Sequence, residues 1–506
     1  MKKLRTPLLA MLGLAVLVLG AVLWFRSRHQ PAERTLSLIF AADQLGYLSP
    51  CGCSEHQLGG AARAAAFLEQ ASAAAPTLFV EGGNLLFGSL HPAPEEQEQF
   101  REKAVALAAS WERGAAGAAR SFSLGPFDEA LGDEFARRTL GAEPILEHAR
   151  LVELAGAKIG LLPLAAGQTS TAAELRSQGA DVVLGIAQAP KVGDALGLGA
   201  AAGVDLVLQA GVVNPVEDTD EAALLEGRLP AFRVKDKGRS LLELTLHLVP
   251  GQAGGLLVPE PMERRRERAA DLDRVLASDR ARLASAEGPV KELLVEKIRE
   301  LQARKEALLQ PEKPPSGRSW ASFRFVELSD DLPDDPAVKA IFDQYTQAIG
   351  RANLAAQQHK ICPAVAPGEL HYVGVASCRD CHAEAAAVWD GTRHPHAYQT
   401  LVAKSRQYDI ECIRCHVLGY DQPGGVCRLD QVGALGGVQC EACHGMGSAH
   451  VDSAGGTDVP IPKPGIDQCL RCHTPDNDTR FSRDTYASHY LPGILGPGHG
   501  KPLPKK

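Results

Sequence analysis

Short apolar runs alternate with Ala-rich amphipathic stretches over residues 35–250 of the chain. The apolar runs are rich in Leu, Ile and Val, which is typical of buried strands. Strands are predicted at 36–41, 77–80, 121–124, 158–163, 181–184, 205–209 and 240–248, with helices such as 61–73 and 97–109 between them. This alternation indicates an α/β fold. Some predicted strands end in glycine-containing turns, for example Glu81-Gly-Gly-Asn84, and such strand ends are where α/β proteins usually bind ligands.

The charged segment over residues 262–310 has its apolar residues at helical spacing, among them Leu276 and Ile298. Gly288 and Pro289 interrupt this pattern, and proline suits the first turn of a new helix. We therefore predict a helical hairpin with two long arms. Each arm covers only about three heptads, which favours a solvated spacer packed on the neighbouring domains over a dimerising coiled coil.

The amino terminus has three basic residues followed by an apolar run from Pro7 to Phe25. A run of this length can span a bilayer. It ends Val22-Leu-Trp-Phe-Arg26, which is a poor cleavage site. We predict an uncleaved signal-anchor helix in the inner membrane, with the soluble domains in the periplasm. A cleaved signal ending near Gly20 is the alternative.

Four copies of the pentapeptide C-x-x-C-H lie in the last quarter of the chain. In c-type cytochromes the two thiols form thioethers with the haem and the adjacent imidazole binds the iron. We therefore predict four covalently attached haem c groups. The attachment residues are Cys378 and Cys381, Cys412 and Cys415, Cys440 and Cys443, and Cys469 and Cys472, with His382, His416, His444 and His473 as proximal ligands. Two zinc sites built from paired C-x-x-C elements are the alternative, but zinc needs no histidine after every second cysteine.

Each haem iron needs a sixth ligand or keeps an open position. Six histidines in or beside this region lie outside the four motifs: His371, His394, His396, His450, His489 and His499. The chain has only sixteen histidines, so this excess indicates that several of the six are distal ligands. Any single one is alternatively a surface residue or a contact of a haem propionate.

Residues 372–500 resemble the cytochrome c-554 family of tetrahaem cytochromes. The resemblance rests on Tyr372-Val-Gly374, Trp389, His394-Pro-His-Ala-Tyr398, Arg406-Gln-Tyr-Asp409, Pro423-Gly-Gly425, Val438-Gln-Cys-Glu-Ala-Cys-His-Gly445, His450 and His499-Gly500. It implies mostly bis-histidine haems packed in close pairs. It further implies that the distal ligands come from His394 and His396, His450 and His499.

The second haem of that family often lacks a sixth ligand from the protein. Here that position corresponds to the haem of Cys412, Cys415 and His416. His489 lies outside the family pattern and is a further candidate distal ligand, so an open position and ligation by His489 are both alternatives.

Residues 35–250 resemble the calcineurin-like metallophosphoesterases, in particular the 5'-nucleotidase branch. The resemblance rests on Ala42-Asp-Gln-Leu-Gly46, Tyr47-Leu-Ser-Pro-Cys-Gly-Cys-Ser54, Gln57-Leu-Gly-Gly60 and Glu81-Gly-Gly-Asn84. It implies a four-layer sandwich of sheets and helices. In that family two metal ions activate a water molecule for attack on a phosphate ester.

The metal ligands of that family are missing at nearly every position. Asp43-Gln-Leu45 stands where D-x-H is expected, Gly83-Asn84 where G-D is expected, Gly125-Pro-Phe-Asp128 where G-N-H-D is expected, and Gln209-Ala-Gly-Val-Val213 where G-H-x-H is expected. A two-metal site needs several imidazoles and carboxylates. We therefore predict that this region has no phosphoesterase activity and serves as a scaffold or docking surface.

Four cysteines lie outside the haem motifs. Cys362 and Cys427 bracket the first half of the haem region and are candidates for a disulfide, while pairing with Cys51 or Cys53 and free buried thiols are the alternatives. The Cys51-Gly-Cys53 segment is predicted to be a structural turn or disulfide. The alternative is a thiol or redox site facing the haems.

Together these features predict a membrane-anchored, exported tetrahaem c-type cytochrome that transfers electrons between redox partner proteins and is not an enzyme. The alternative is a redox enzyme that acts on a small nitrogen or sulfur oxide at a five-coordinate haem. The net charge of -8 and the lack of a basic stripe argue against nucleic acid as a partner. No pattern in the sequence specifies an oligomeric state.

The predicted fold class is an α/β four-layer metallophosphoesterase-like sandwich, followed by a helical hairpin and a mostly α or irregular multihaem cytochrome c domain. The predicted regions are 1–34 (signal-anchor), 35–255 (α/β domain), 256–315 (helical hairpin), 316–371 (linker and helix) and 372–506 (tetrahaem domain).

Overall fold

Two sheets and a set of long and short helices account for most of the described residues. The computed structural model describes residues 33–486 except for 51–56, 142–143, 168–169, 212–220, 226–228, 252–254, 261, 311–316, 363, 457–458, 460, 475–476, 479–480 and 483–484. The strands are β1 (Arg34–Ala41), β2 (Thr77–Glu81), β3 (Ala119–Phe122), β4 (Arg150–Leu154), β5 (Ala157–Leu164), β6 (Val182–Gln188), β7 (Leu206–Ala210), β8 (Glu221–Leu225), β9 (Leu229–Arg233), β10 (Ser240–Leu248) and β11 (Trp320–Glu327).

The helices divide into a longer set and a shorter set. Up to residue 357 they are α1 (Ala61–Ala74), α2 (Gln97–Gly114), α3 (Asp133–Leu140), α4 (Ala172–Ser177), α5 (Val192–Ala202), α6 (Met262–Leu283), α7 (Gly288–Leu309) and α8 (Pro336–Gln357). After it they are α9 (Ala376–Arg379), α10 (Ala383–Asp390), α11 (Ala397–Ala403), α12 (Ile410–His416), α13 (Cys440–His444), α14 (Ser448–Asp452) and α15 (Ile466–Cys469).

The two sheets are mixed. The first has the strand order β11-β10-β1-β2-β3, in which β1 runs parallel to β2 and antiparallel to β10. The second has the order β4-β5-β6-β7-β9-β8, in which β5, β6 and β7 are parallel neighbours. Since parallel strands end at the same edge, the loops after β1, β2, β6 and β7 are free to carry functional side chains.

The sheets pack face to face with helices outside them. Leu38 and Phe40 of the first sheet and Leu184 and Leu208 of the second belong to one fully buried cluster. The outer face of the first sheet packs on α1, α2 and α8 through a second cluster that includes Trp111. The outer face of the second sheet packs on α4 and α5 through a third cluster. The predicted α/β layering of this part of the chain is therefore present.

All seven predicted strands are confirmed, although several ends are shifted by one to four residues. Strand β11 is a difference, because residues 316–371 were predicted to hold a linker and a helix. In the structure, β11 pairs antiparallel with β10, with Phe323 opposite Leu244. A long insertion separates β10 from β11 in the chain, so the local residue pattern does not predict that the two strands pair.

The charged segment forms two antiparallel helices, α6 and α7. Lys297 pairs with Asp279 at 2.7 Å, and Lys305 pairs with Asp273 at 2.7 Å. The guanidinium of Arg264, at the start of α6, lies 5.3 Å from the ring centre of Phe325 on β11. The base of the hairpin thus rests on the first sheet.

The predicted inner-membrane anchor is corrected. No helix in the described part of the chain is long and apolar enough to cross a membrane. The apolar run from Pro7 to Phe25 lies outside the described residues, as do Cys51 and Cys53.

Candidate haem-binding site

Each C-x-x-C-H motif begins on a short helix in the described region. The second and third motifs lie wholly on α12 and α13, while α9 holds Cys378 and α15 ends at Cys469. Residues three and four positions apart share one face of a helix. In the second and third motifs, both thiols and the imidazole therefore share one face of a helix, as attachment to a single haem would require.

The motifs are also close to one another in pairs. The nearby Cys440 is the largest cause of a raised pKa of the Cys378 thiol, and the nearby Cys472 is the largest cause of a raised pKa of the Cys415 thiol. The attachment sites of the first and third motifs are therefore adjacent, as are those of the second and fourth.

Two histidine pairs have the spacing of axial ligands on opposite faces of one iron. An imidazole nitrogen lies about 2 Å from a bound metal ion and the ring centre about 1 Å behind it, so two axial rings have centres about 6 Å apart. The ring centres of His382 and His450 are 6.3 Å apart, and those of His394 and His473 are 6.2 Å apart. These residues fit a haem in each gap.

Hydrogen bonds at Nδ1 orient several of these rings. His416 lies 2.6 Å from the carbonyl oxygen of Ala397, His444 lies 3.1 Å from that of Pro462, and His450 lies 3.0 Å from that of Val459. A carbonyl only accepts, so each Nδ1 carries the proton and donates it. The other nitrogen, Nε2, is then left with a lone pair for the metal.

The surroundings of the paired rings favour the neutral imidazole that binds iron. Burial, and next the nearby His473, lower the pKa of His394. Burial, and next the nearby His450, lower the pKa of His382. A neutral ring keeps its Nε2 lone pair near pH 7.

The other candidate distal ligands are not placed in this way. His396 is exposed, and no proximal ring is paired with it among the described residues. His489 and His499 lie outside the described residues. In the described part of the chain no second imidazole ring faces His416, the proximal residue of the second motif.

The second motif is held by helices of the α/β region. The side-chain amide of Gln99 on α2 donates to Asp409 at 2.8 Å, and Lys103 on the same helix pairs with Glu411 at 2.7 Å. Asn353 on α8 donates to the Gln99 amide oxygen at 2.9 Å and to the carbonyl of Tyr408 at 2.8 Å. Sequence reasoning missed these contacts because they join residues more than 50 positions apart.

Asp409 is the central group of this interface. It is buried, and it caps α12 by accepting a hydrogen bond from the backbone of Glu411 at 3.0 Å. Burial alone would raise the pKa of Asp409, but the charge and hydrogen bond of Arg406 hold it below its ordinary value. The cap is therefore ionised at neutral pH.

A disulfide joins the haem region to the end of α8. The sulfur atoms of Cys362 and Cys427 are bonded, with Cα atoms 5.8 Å apart. Of the alternatives left open by the sequence, this pairing is the one present in the structure.

The polar residues after β1, β2 and β3 form hydrogen bonds with one another and with the backbone. Asp128 accepts from the backbone N–H groups of Asn84 at 2.7 Å and Leu86 at 2.7 Å. The Asn84 amide in turn donates to Asp43 at 2.8 Å. Asp43 and Asp128 stand at positions where the resembled family has metal ligands, and here backbone and amide donors bind both carboxylates. No group of three or more His, Cys, Asp or Glu within the described residues is arranged to hold a metal ion.

Glu81 is an acidic residue of this cluster that the sequence did not single out as a charged group. It is fully buried, and its Oε1 has no hydrogen-bond partner. Burial, and next the charge of Asp128, raise the pKa of Glu81 well above its ordinary value. Burial also raises the pKa of Asp128 to about 6, against the backbone hydrogen bonds that lower it. A Glu at the end of a buried strand is the signal that could have marked it.

Known proteins match the two parts of the chain separately. Residues 377–445 match the model of the family Cytochrome c554 and c-prime. Cytochrome c-554 of Nitrosomonas europaea is 33% identical over 91 residues, which cover 15% of this chain and 39% of that protein. The chain thus spans less than half the length of this curated relative. The predicted resemblance of the C-terminal part to the cytochrome c-554 family is confirmed.

Three similar solved structures have the names of enzymes. The calcineurin-like phosphoesterase YfkN from Bacillus subtilis is 12% identical with a TM-score of 0.39, and the match covers 63% of this chain and 98% of that one. The sulfate thiohydrolase SoxB from Thermus thermophilus is 11% identical with a TM-score of 0.40, and the match covers 66% of this chain and 63% of that one. The 5'-nucleotidase from Candida albicans is 7% identical with a TM-score of 0.29, and the match covers 42% of this chain and 48% of that one. At these TM-scores they assign no substrate or reaction to this chain.

The prediction that the chain is not an enzyme is corrected by this comparison. It rested on the missing metal ligands alone. The loss of one ligand set removes one mechanism and does not remove every activity that such a frame supports.

Proposed function

We propose that the chain is a tetrahaem c-type cytochrome that carries electrons between redox partner proteins through four covalently attached haem c groups. The two histidine pairs with ring centres 6.2 and 6.3 Å apart carry this proposal. Bis-histidine ligation closes both faces of an iron, which suits electron transfer because no substrate has to bind.

The proposed ligands follow from the motifs and the ring pairs. One haem is attached at Cys378 and Cys381, with His382 and His450 as axial ligands. The haem of the fourth motif, attached at Cys469 and Cys472, has His473 and His394. The proximal ligands of the second and third haems are His416 and His444, whose Nδ1 contacts leave Nε2 for iron. The bound haems supply one-electron chemistry, and the protein residues hold and orient them.

The haem count tests the proposal directly. The full chain is produced in cells that attach haem c, and haem is measured per protein by pyridine haemochrome absorbance and by intact mass. Four haems per chain are expected, all reducible by dithionite. Fewer than four, or zinc bound in their place, would overturn the proposal.

One observation favours a second candidate function, a redox enzyme acting on a small nitrogen or sulfur oxide. No second imidazole faces His416 among the described residues, so the haem of Cys412 and Cys415 is a candidate for an open position. The ferrous protein is titrated with CO. Stoichiometric binding at one haem in four supports the enzyme, and no binding supports the carrier.

A further inference from the structure

His473 differs from two other proximal histidines, His416 and His444, in the hydrogen-bond partner of its Nδ1 atom. The Nδ1 atom of His473 lies 2.9 Å from Oδ2 of Asp478. The rings of His416 and His444 instead contact neutral backbone carbonyls. A carboxylate is a stronger acceptor than a carbonyl, and its hydrogen bond to an imidazole is charge-assisted.

Several contacts in the segment after the fourth motif hold Asp478 beside His473. The backbone N–H of Asp478 donates to the carbonyl of Thr474 at 2.8 Å. The amide of Asn477 donates to the carbonyl of Cys472 at 3.2 Å, which ties the turn to the haem attachment site. The ring of Phe481 stacks on His473, with centres 4.7 Å apart. Only 14% of the Asp478 side chain is exposed, so water screens its charge weakly.

An anionic hydrogen-bond partner changes how much electron density the histidine donates to the iron. With Nε2 on the metal, the proton on Nδ1 is drawn toward the carboxylate, and the ring donates more electron density to the iron. The ferric state carries one more positive charge than the ferrous state, and is therefore stabilised by this density and by the nearby negative charge. Both effects lower the reduction potential.

We propose that Asp478 is a positioning residue that lowers the reduction potential of the haem attached at Cys469 and Cys472 below those of the haems ligated by His416 and His444. This inference rests on the proposed haem attachment and ligation. The fourth haem would then be the last of these three to be reduced and the first to pass its electron on.

The test is a spectroelectrochemical titration of the full haem-loaded chain, with the variant Asp478→Asn. Asparagine keeps a hydrogen-bonding oxygen and removes the charge. One redox component is expected to move upward by at least a tenfold change in the ferric to ferrous ratio, which is 59 mV for a one-electron couple. The same haem should change its ferric EPR g values, and the other components should stay in place. Asp478→Glu, which keeps the carboxylate, is expected to move the component less.

Asp452→Asn is the matched control, because it removes the same charge from an exposed site in the haem region. Haem content is measured in every variant, so four haems with an unchanged titration in Asp478→Asn would overturn this inference and leave the proposed function standing. A wild-type count below four would overturn both. Should Asp478→Asn lose a haem, Asp478→Ala, in which water can reach Nδ1, is titrated in its place with the same expected shift.

Discussion

Single histidine side chains decide whether a haem iron is closed or open. His450 and His394 each lie across from a proximal ring at the distance that one iron requires, while His396, only two positions from His394, is exposed. All three residues are histidines, and they differ only in where they lie relative to the proximal histidine of a motif. Distal ligation is therefore a property that can be tested one residue at a time.

Replacing His450 with alanine is expected to open the haem ligated by His382. The ferrous variant should bind one more CO per chain than the wild type, because the sixth position is no longer filled. The measurement is a CO titration followed in the Soret region. His396→Ala is the control and should leave the stoichiometry as it is. An unchanged stoichiometry in His450→Ala would exclude His450 as a ligand.

Buried carboxyl groups make the α/β region sensitive to pH. The pKa values of Glu81 and Asp128 are raised in the folded state, that of Asp128 from 3.8 to about 6. The folded protein thus holds protons that the unfolded chain has released. The stabilisation is fully present below the unfolded pKa and is lost as the pH rises through the folded pKa.

Replacing Glu81 with glutamine is expected to weaken this pH dependence. The amide stays neutral, so the fall in melting temperature between about pH 5 and about pH 8 should be smaller than in the wild type. Calorimetry at both pH values measures it. Glu153→Gln, at an exposed position on β4, should behave as wild type. An equal or steeper fall in Glu81→Gln would contradict the assignment.

At the scale of elements, helix α12 contacts both the α/β region and the rest of the haem region. Its residues carry the second haem motif, and its capping residue Asp409 is bound by Gln99 of α2. Ile413 of α12 is fully buried in the small cluster of the haem region. The α/β layers thus form one wall of the second haem site.

Replacing Gln99 with leucine is expected to loosen this wall. Asp409 loses a buried donor, and the Asn353 amide loses its acceptor, which together should cost about 1–3 kcal/mol. A lower melting temperature and faster hydrogen exchange in α12 are the expected results. Glu102→Leu, on the exposed face of α2, is the control. Unchanged exchange in α12 would mean that the contact contributes little.

At the scale of the whole molecule, the two parts differ in what forms their cores. The sandwich has three clusters of buried apolar residues. Among its described residues, the haem region has one small cluster around Ile413. We therefore expect this region to depend on the proposed haem groups for stability.

The chain made without haem attachment is therefore expected to keep a folded sandwich and an unfolded haem region. Limited proteolysis followed by mass spectrometry should cleave after residue 372 and leave the part up to residue 357 intact. The haem-loaded chain should resist cleavage in both parts. Equal protection of the haem region in both preparations would show that it folds without its cofactors.

The sequence alone determined the features that are encoded locally. Four pentapeptides predict haem attachment because both thiols and the imidazole lie within five residues. The seven strands were predictable because the length and composition of their apolar runs favour a buried strand over a helix. The raised pKa of Glu81 was not predictable, since it depends on burial in the folded protein and next on Asp128, which lies 47 positions away in the chain.

Only the tertiary structure decided which parts of the chain meet. The pairing of His382 with His450 and of His394 with His473 bridges more than 60 positions, and the bond between Gln99 and Asp409 bridges 310. Strand β11 likewise joins the sheet only after the long hairpin. Local pattern specifies which groups can react or ligate, whereas the path of the folded chain specifies which of them share one site, because contacts over such separations depend on the packing of every layer between them.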